Sequence, residues 1–305
     1  MKQLPKGPSA REAASPSSGI ARERDVQTTS PTAVHQAGLA RDQMRETMTK
    51  SPEPGGILTG LSDFDALAGA MPRGLVTVVA ARSSSGTTAF ALGVARHNAE
   101  AGHQVIFASF EGGTDTIMSN LVAATTSVNV DRPLSINRGR RARIDDARAA
   151  MERSRLRMWS NQLKGGRWPF SNLSKDLTSL PDLDLLVMDG YGIASFQEPS
   201  DGATLTALHH LAQERNCAVL VTAHLVQNVG APDTETPSLA ELGVLDGAVA
   251  GVETILLLHR PDRDGNAPER RGEVDLIALR GWETTGTATV RFEPEYHRLA
   301  DLPNT

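Results

Sequence analysis

An α/β fold with a mostly parallel central sheet, helices on its flanks and antiparallel strands at its C-terminal end is what the sequence predicts. Three observations point to it. From about Ile57 onwards, short apolar runs of strand length alternate with helical stretches, the pattern of linked βαβ units. The run Leu75–Ala81 is apolar almost throughout, as a strand buried on both faces must be. The last apolar runs follow one another with no helix between them, so they are expected to pair antiparallel.

Taken in order, the first 33 residues are rich in Ser, Thr, Pro and Gln and lack apolar periodicity. They cannot bury enough surface to offset ordering entropy, so 1–33 reads as a disordered polar tail. Residues 34–55 read as a docking helix followed by a linker. Leu39, Met44 and Met48 share one side of that helix, and Ser51-Pro52-Glu53-Pro54-Gly55-Gly56 breaks it. Residues 56–296 form the expected folded domain, and 297–305 a flexible C-terminus. Strands are expected at Leu75–Ala81, Gln104–Phe110, Leu156–Ser160, Asp184–Asp189, Cys217–Ala223, Val252–His259, Glu273–Arg280 and Thr287–Phe292. Helices are expected at Gly86–Ala101, Asp115–Thr125, Asp145–Arg155 and Ala203–Asn216. Polar, Gly- and Pro-containing stretches at 161–172, 226–238 and 261–271 read as loops.

Composition narrows the function. The chain has 305 residues, enough for one large domain with a sizeable core. Aromatics make up only 4%, so that core rests on Val, Leu, Ile and Ala. A formal charge of -5 argues against a surface coated in nucleic-acid-binding cations, although a local groove is compatible with it. One cysteine, Cys217, excludes an internal disulfide and a multi-cysteine zinc site, and suits a reducing cytoplasmic setting. The N-terminus has no apolar signal-peptide core, and no apolar run approaches the length needed to span a bilayer.

The chemistry concentrates where Leu75–Ala81 opens into Arg82-Ser83-Ser84-Ser85-Gly86-Thr87-Thr88 and then a helix. A loop of small residues between a strand and a helix N-terminus lets backbone N–H groups wrap a phosphate. The Walker pattern G-x-x-x-x-G-K-[ST] places its second glycine at Gly86 and its magnesium-binding hydroxyl at Thr88. Ala81 stands for the first glycine, and Thr87 for the lysine that would reach the β- and γ-phosphates. A Ser-rich turn that merely caps a helix would look the same.

Other motifs extend the pattern. Gly56 to Leu67 resembles the entry segment of the C-terminal ATPase domain of DnaB-type replicative helicases, a hexameric branch of the RecA-like P-loop fold. Ala80 to Ala91 resembles that family's P-loop, Phe107-Ala108-Ser109-Phe110-Glu111 its "FSLE" strand end, and Leu185-Leu186-Val187-Met188-Asp189 its Walker B strand. Leu220 to Leu225 stands in the place of its "ALSQL", and Glu273 to Gly281 in that of its "EIIIGKQRNG" strand. The resemblance spans about residues 56–293. It implies ATP and Mg2+ as cofactors, with Arg82, Ser83, Ser84, Ser85, Gly86, Thr87 and Thr88 around the nucleotide and Thr88 and Asp189 placing the metal. Glu111 then polarises water, His224 replaces the γ-phosphate-sensing Gln, and Arg280 reaches a neighbouring subunit's nucleotide. A homo-oligomeric ring and single-stranded DNA are the implied partners.

The departures have consequences of their own. Lys is absent at 87 and 278 and Gln at 224, and each lost phosphate contact lowers the rate of phosphoryl transfer. The loops that correspond to the family's DNA-facing loops, roughly 190–202 and 226–238, carry no Lys or Arg. They carry Glu198, Asp201, Asp233 and Glu235, which repel a DNA backbone. Two readings follow: a DnaB-like protein that binds ATP and hydrolyses it weakly, or a non-catalytic regulatory or assembly module that kept the fold. Another RecA-like ATPase, of DNA-repair or clock type, is a third. The basic run Arg138 to Arg143 reads as a solvated, partly self-paired face rather than a DNA contact, because Asp145, Asp146 and Glu152 interleave with its continuation. His209-His210 have no ligand partner at metal spacing, and Cys217 reads as a small buried residue.

Overall fold

Val76–Ala81 (β1) lies near the middle of a nine-stranded sheet, with both its faces covered. The computed structural model describes residues 56–130, 137–160, 182–192, 203–225, 236–245, 252–263, 267–281 and 283–303, with a few positions between 162 and 177. The expected tail at 1–33 and the helix and linker at 34–55 lie outside the described residues.

The remaining strands are Val105–Ser109 (β2), Leu156–Ser160 (β3), Gln162–Leu163 (β4), Gly166–Arg167 (β5), Leu185–Asp189 (β6), Ala218–His224 (β7), Val252–His259 (β8), Glu273–Arg280 (β9), Glu283–Glu293 (β10) and Arg298–Asp301 (β11). Their order in the main sheet is β11-β10-β9-β8-β1-β7-β6-β2-β3, and β4 and β5 form a separate short hairpin. From β8 to β3 every pairing is parallel. From β8 through β9 and β10 to β11 every pairing is antiparallel, as the uninterrupted C-terminal strands require.

Helices Ser62–Ala68 (α1), Thr87–Glu100 (α2), Thr114–Thr126 (α3), Arg138–Arg153 (α4) and Ala203–Arg215 (α5) cover the sheet. The strand period of two sorts the apolar residues between two layers. Val79, Ala81, Phe107, Val187 and Leu220 pack with Phe90 and Leu92 of α2 on one face. Val78, Ala80, Ile106, Met188 and Val221 pack with Leu205, Leu208 and Ala212 of α5 on the other. Cys217 is buried, and burial pushes its thiol up to about 11, which removes it as a nucleophile at neutral pH. Among the described residues no helix is long and apolar enough to cross a membrane.

Two expectations are corrected. The helix expected from Asp145 begins at Arg138, because the Asn137 side chain accepts the Arg140 N–H at 2.9 Å and caps it, and Arg and Ala are strong helix formers. The basic run is therefore helical, with Arg138, Arg140, Arg141 and Arg143 exposed and Ile144 and Ala147 turned to the core. Residues Arg298–Asp301, expected in a flexible C-terminus, form edge strand β11. They pair with Val290–Glu293, bury Leu299, and send the Arg298 guanidinium to the Ala124 carbonyl.

Candidate functional site

Parallel strands that share a direction bring their C-terminal ends to one edge, where α/β proteins gather their functional side chains. Here β1, β7, β6 and β2 are consecutive, so the residues that follow them become neighbours. The loop after β1 turns sharply: Ser84 has φ 61° and Gly86, the residue capping α2, has φ 96°. Glycine suits that left-handed position, and a Cβ there would also lie 3.3 Å from the Phe292 ring. Successive N–H groups along such a turn form an anion-binding concavity. Ser83 and Ser84 are exposed, while Ser85 and Thr87 are buried. Arg82 is also buried, and its guanidinium grips Glu241 through two hydrogen bonds of 2.8 and 3.0 Å. It therefore offers the loop its backbone, with its charge neutralised by Glu241.

At the start of α2, the Thr88 hydroxyl lies 3.2 Å from each carboxylate oxygen of Asp189 at the end of β6. Thr222 on β7 links this pair to the backbone: its hydroxyl donates to Asp189 Oδ1 at 2.8 Å and accepts from the Gly190 N–H at 2.9 Å. Next to Asp189, Glu111 follows β2 and meets His224 from the end of β7, with Nε2 and Oε1 3.0 Å apart. Gly190 makes room for Glu111: its φ is 99°, and a Cβ there would fall 2.8 Å from Glu111 Cγ. Thr88, Glu111, Asp189 and His224, proposed from separate motifs, thus converge on one site beside the Ser83–Thr88 loop.

The charges are arranged unequally. Burial pushes the Asp189 carboxyl from 3.8 to about 6, opposed by the Thr222 hydrogen bond and reinforced by the nearby Glu111 charge. Glu111 goes the other way, held below the usual carboxylate range chiefly by its hydrogen bond to His224. His224 is correspondingly raised by Glu111. A buried carboxylate beside a hydroxyl is an all-oxygen set suited to a hard cation such as Mg2+, which takes one or two protein oxygens and completes its shell with phosphates and water. Among the described residues there is no cluster of three or more His, Cys, Asp or Glu side chains that could hold a metal.

Arg280 stands apart from this group. It pairs with Thr254, which lies level with Thr77 at the start of β1, four residues below Ala81. That is about 13 Å along the strand from the end of β1. Its guanidinium donates to the Ala68 carbonyl. Sequence reading missed four participants: Thr222, which orients Asp189; Glu241, which holds Arg82; and Arg260 and Arg263, which donate to the Ser84 and Ser83 carbonyls at 3.3 and 2.8 Å. Thr222 was legible as a residue two before His224 on the same strand. Arg263 sits in the stretch 261–271 read only as a polar loop, and Arg260 falls between that loop and the strand before it.

A small-residue loop at the head of the central strand, with a carboxylate at the end of a strand two places away, defines a RecA-like P-loop domain. Comparison with known proteins narrows the class. The family model for the DnaB-like helicase C-terminal domain matches residues 56–301, and the chain belongs to that family. It is 26% identical over 282 residues to the replicative DNA helicase DnaB of Leifsonia xyli subsp. xyli (strain CTCB07), and 20% identical over 274 residues to the replicative DNA helicase DnaC of Bacillus subtilis (strain 168). Those matches cover 87% and 86% of this chain, which spans 60% of the length of each relative. Among solved structures, an ATPase domain on its own superposes with a TM-score of 0.70 at 18% identity, covering 88% of this chain and 99% of that one. A DnaB-like replicative helicase, described with its interactions with primase, superposes at 0.71 and 18% identity, covering 88% of this chain and 66% of that one.

Proposed function

We propose that this chain binds ATP with Mg2+ at the edge formed by Ser83–Thr88, Glu111, Asp189 and His224, and hydrolyses it slowly. The observation that carries the reading is the contact between the Thr88 hydroxyl and the buried Asp189 carboxylate, at the start of the helix that follows the Ser83–Gly86 turn. The loop's backbone N–H groups bind the phosphates, and Thr88 and Asp189 hold the metal, which when bound neutralises phosphate charge. Glu111 orients the attacking water and takes its proton. His224 donates to a phosphate oxygen in this reading, in place of the family's Gln. Slow turnover follows from Thr87, which puts no charge where the Walker lysine would be, and from a Glu111 already paired with His224.

That pair also favours the second reading, a nucleotide-binding assembly or regulatory module without motor activity. Association into a ring would let Arg280 reach a neighbour's nucleotide, and the helix expected within 34–55 would give it a docking surface. Role and setting follow the relatives: DNA replication in a bacterial cytoplasm. Single-stranded DNA is a weak partner at best, because residues 190–202 and 226–238 hold acidic and no basic side chains. Of these loops, 193–202 and 226–235 lie outside the described residues.

The test pairs calorimetric ATP binding with phosphate release, with and without single-stranded DNA. Micromolar binding with turnover near background is expected, and Thr87→Lys should raise turnover. Helicase-level hydrolysis by the unaltered protein would overturn the slow-turnover reading; absence of nucleotide binding would overturn both.

A further inference from the structure

Leu185 and Val187 of β6 and Leu220 of β7 pack on the α2 face of the sheet, so by the strand period of two Asp189 and Thr222 share that face. The parallel ladder between the two strands ends at Met188 and Val221, one residue before each of them. Just past that end, the Gly190 N–H donates to the Thr222 hydroxyl at 2.9 Å, a side chain standing in for a strand carbonyl. A threonine hydroxyl has one proton to give. With its oxygen accepting from Gly190, that proton goes to Asp189 Oδ1, 2.8 Å away. The Thr88 hydroxyl lies 3.2 Å from both carboxylate oxygens and so favours neither. Thr222 is therefore the contact that tells the two oxygens apart. It is also particular to this chain: with His224 in the place of the Gln of "ALSQL", Thr222 falls where that motif has Leu.

Resting on the nucleotide-binding reading above, we infer that Thr222 is a positioning residue for the metal: it fixes the rotation of the Asp189 carboxylate, engaging Oδ1 and leaving Oδ2, shared only with Thr88, for Mg2+ and its water. The anchor is rigid, because the hydroxyl is tied to backbone on one side and to the carboxylate on the other, and both residues are buried. A hydrogen bond from a neutral hydroxyl to a carboxylate is charge-assisted, shorter and stronger than a neutral one, so it can hold the group against rotation. Partners of this kind orient a metal-binding side chain without touching the metal. Leu at 222 would offer Asp189 no donor and Gly190 no acceptor.

The experiment measures ATP bound by the full chain, by equilibrium dialysis, as Mg2+ is raised, and again in chelator. It compares the unaltered protein with Thr222→Val, which keeps the shape without the hydroxyl, and Thr222→Ser, which keeps the hydroxyl. Val should need roughly 10–100-fold more Mg2+ for half-saturation, the usual cost of removing a partner that orients a metal-binding group. Ser should stay close to the unaltered protein, and all three should bind ATP alike in chelator, whereas a merely structural role would weaken binding with and without Mg2+. Should Val leave the Gly190 N–H stranded and fail to fold, Thr222→Cys takes its place: its thiol is a weak donor and acceptor, and the Mg2+ requirement should still rise several-fold. If the unaltered protein binds ATP with Mg2+ but the Val or Cys variant needs no more of the metal, or Ser fails as badly as Val, or the loss is equal in chelator, the inference fails and the binding reading stands. Absence of any ATP binding by the unaltered protein would remove both.

Discussion

Replacing Asp189 by Asn should make the metal-free protein more stable at neutral pH. Asp189 is 3% exposed, and burial carries its pKa from 3.8 to about 6. A carboxyl whose folded pKa lies above its unfolded one binds its proton more tightly in the native state. Its contribution is therefore most favourable below about pH 4 and is lost as the pH rises towards 6. The loss over that interval corresponds to about 3 kcal/mol. Asn can keep an acceptor for the Thr222 and Thr88 hydroxyls while shedding the charge. Urea unfolding in chelator between pH 4 and 8 should show the variant's advantage growing from near zero at pH 4 to about 3 kcal/mol at pH 7. A gap independent of pH, or a variant less stable at pH 7, would refute the claim that burial governs this carboxyl. Magnesium and nucleotide should narrow the gap by stabilising the unaltered protein selectively.

Two other perturbations probe neighbouring contacts. The Arg82–Glu241 pair is buried on both sides, so Arg82→Ala alone should cost about 3–5 kcal/mol in urea unfolding, because it strands the Glu241 charge. Arg82→Met with Glu241→Leu should cost much less than the two single changes together. For Glu111 and His224 the readout is a histidine NMR titration: Glu111→Gln should lower the His224 pKa. Because His224 is raised and Glu111 lowered, their pairing contributes fully between about pH 4.5 and 6.5. It is lost on the acid side as Glu111 protonates and on the basic side as His224 deprotonates. A His224 titration unchanged in Glu111→Gln would contradict the contact.

The strands were legible because buried parallel strands need apolar residues on both faces, which leaves runs such as Leu185-Leu186-Val187-Met188 with no competing interpretation. Leu156–Ser160, Val252–His259 and Glu273–Arg280 fall where the pattern places them. Strand β11 was hidden because four residues with one large apolar side chain, Leu299, carry no period; its pairing depends on β10, not on its own sequence. The start of α4 was hidden for another reason. Arg138-Gly139-Arg140-Arg141 has no apolar stripe, and the helix there depends on the Asn137 cap and on docking through Ile144. At the site, Thr88, Glu111, Asp189 and His224 each sit at the end of a strand or the start of a helix, positions that sequence order can locate. Arg260 and Arg263 reach the loop only because β8 neighbours β1, an adjacency between strands more than 170 residues apart.

The register of β9 sets a condition on any chemistry that uses Arg280. Arg280 stands level with Thr77 near the start of β1, while the phosphate turn lies beyond the strand's last residue, so one molecule cannot bring the two together without breaking the sheet. A copy that lends its arginine to a second must use a different face from the one that receives. Such contacts are heterologous: repeated, they either close into a ring or propagate as an open filament. The rate per molecule would then depend on protein concentration, and mixing two defective variants, one lacking Arg280 and one lacking Asp189, would return part of the activity that neither has alone.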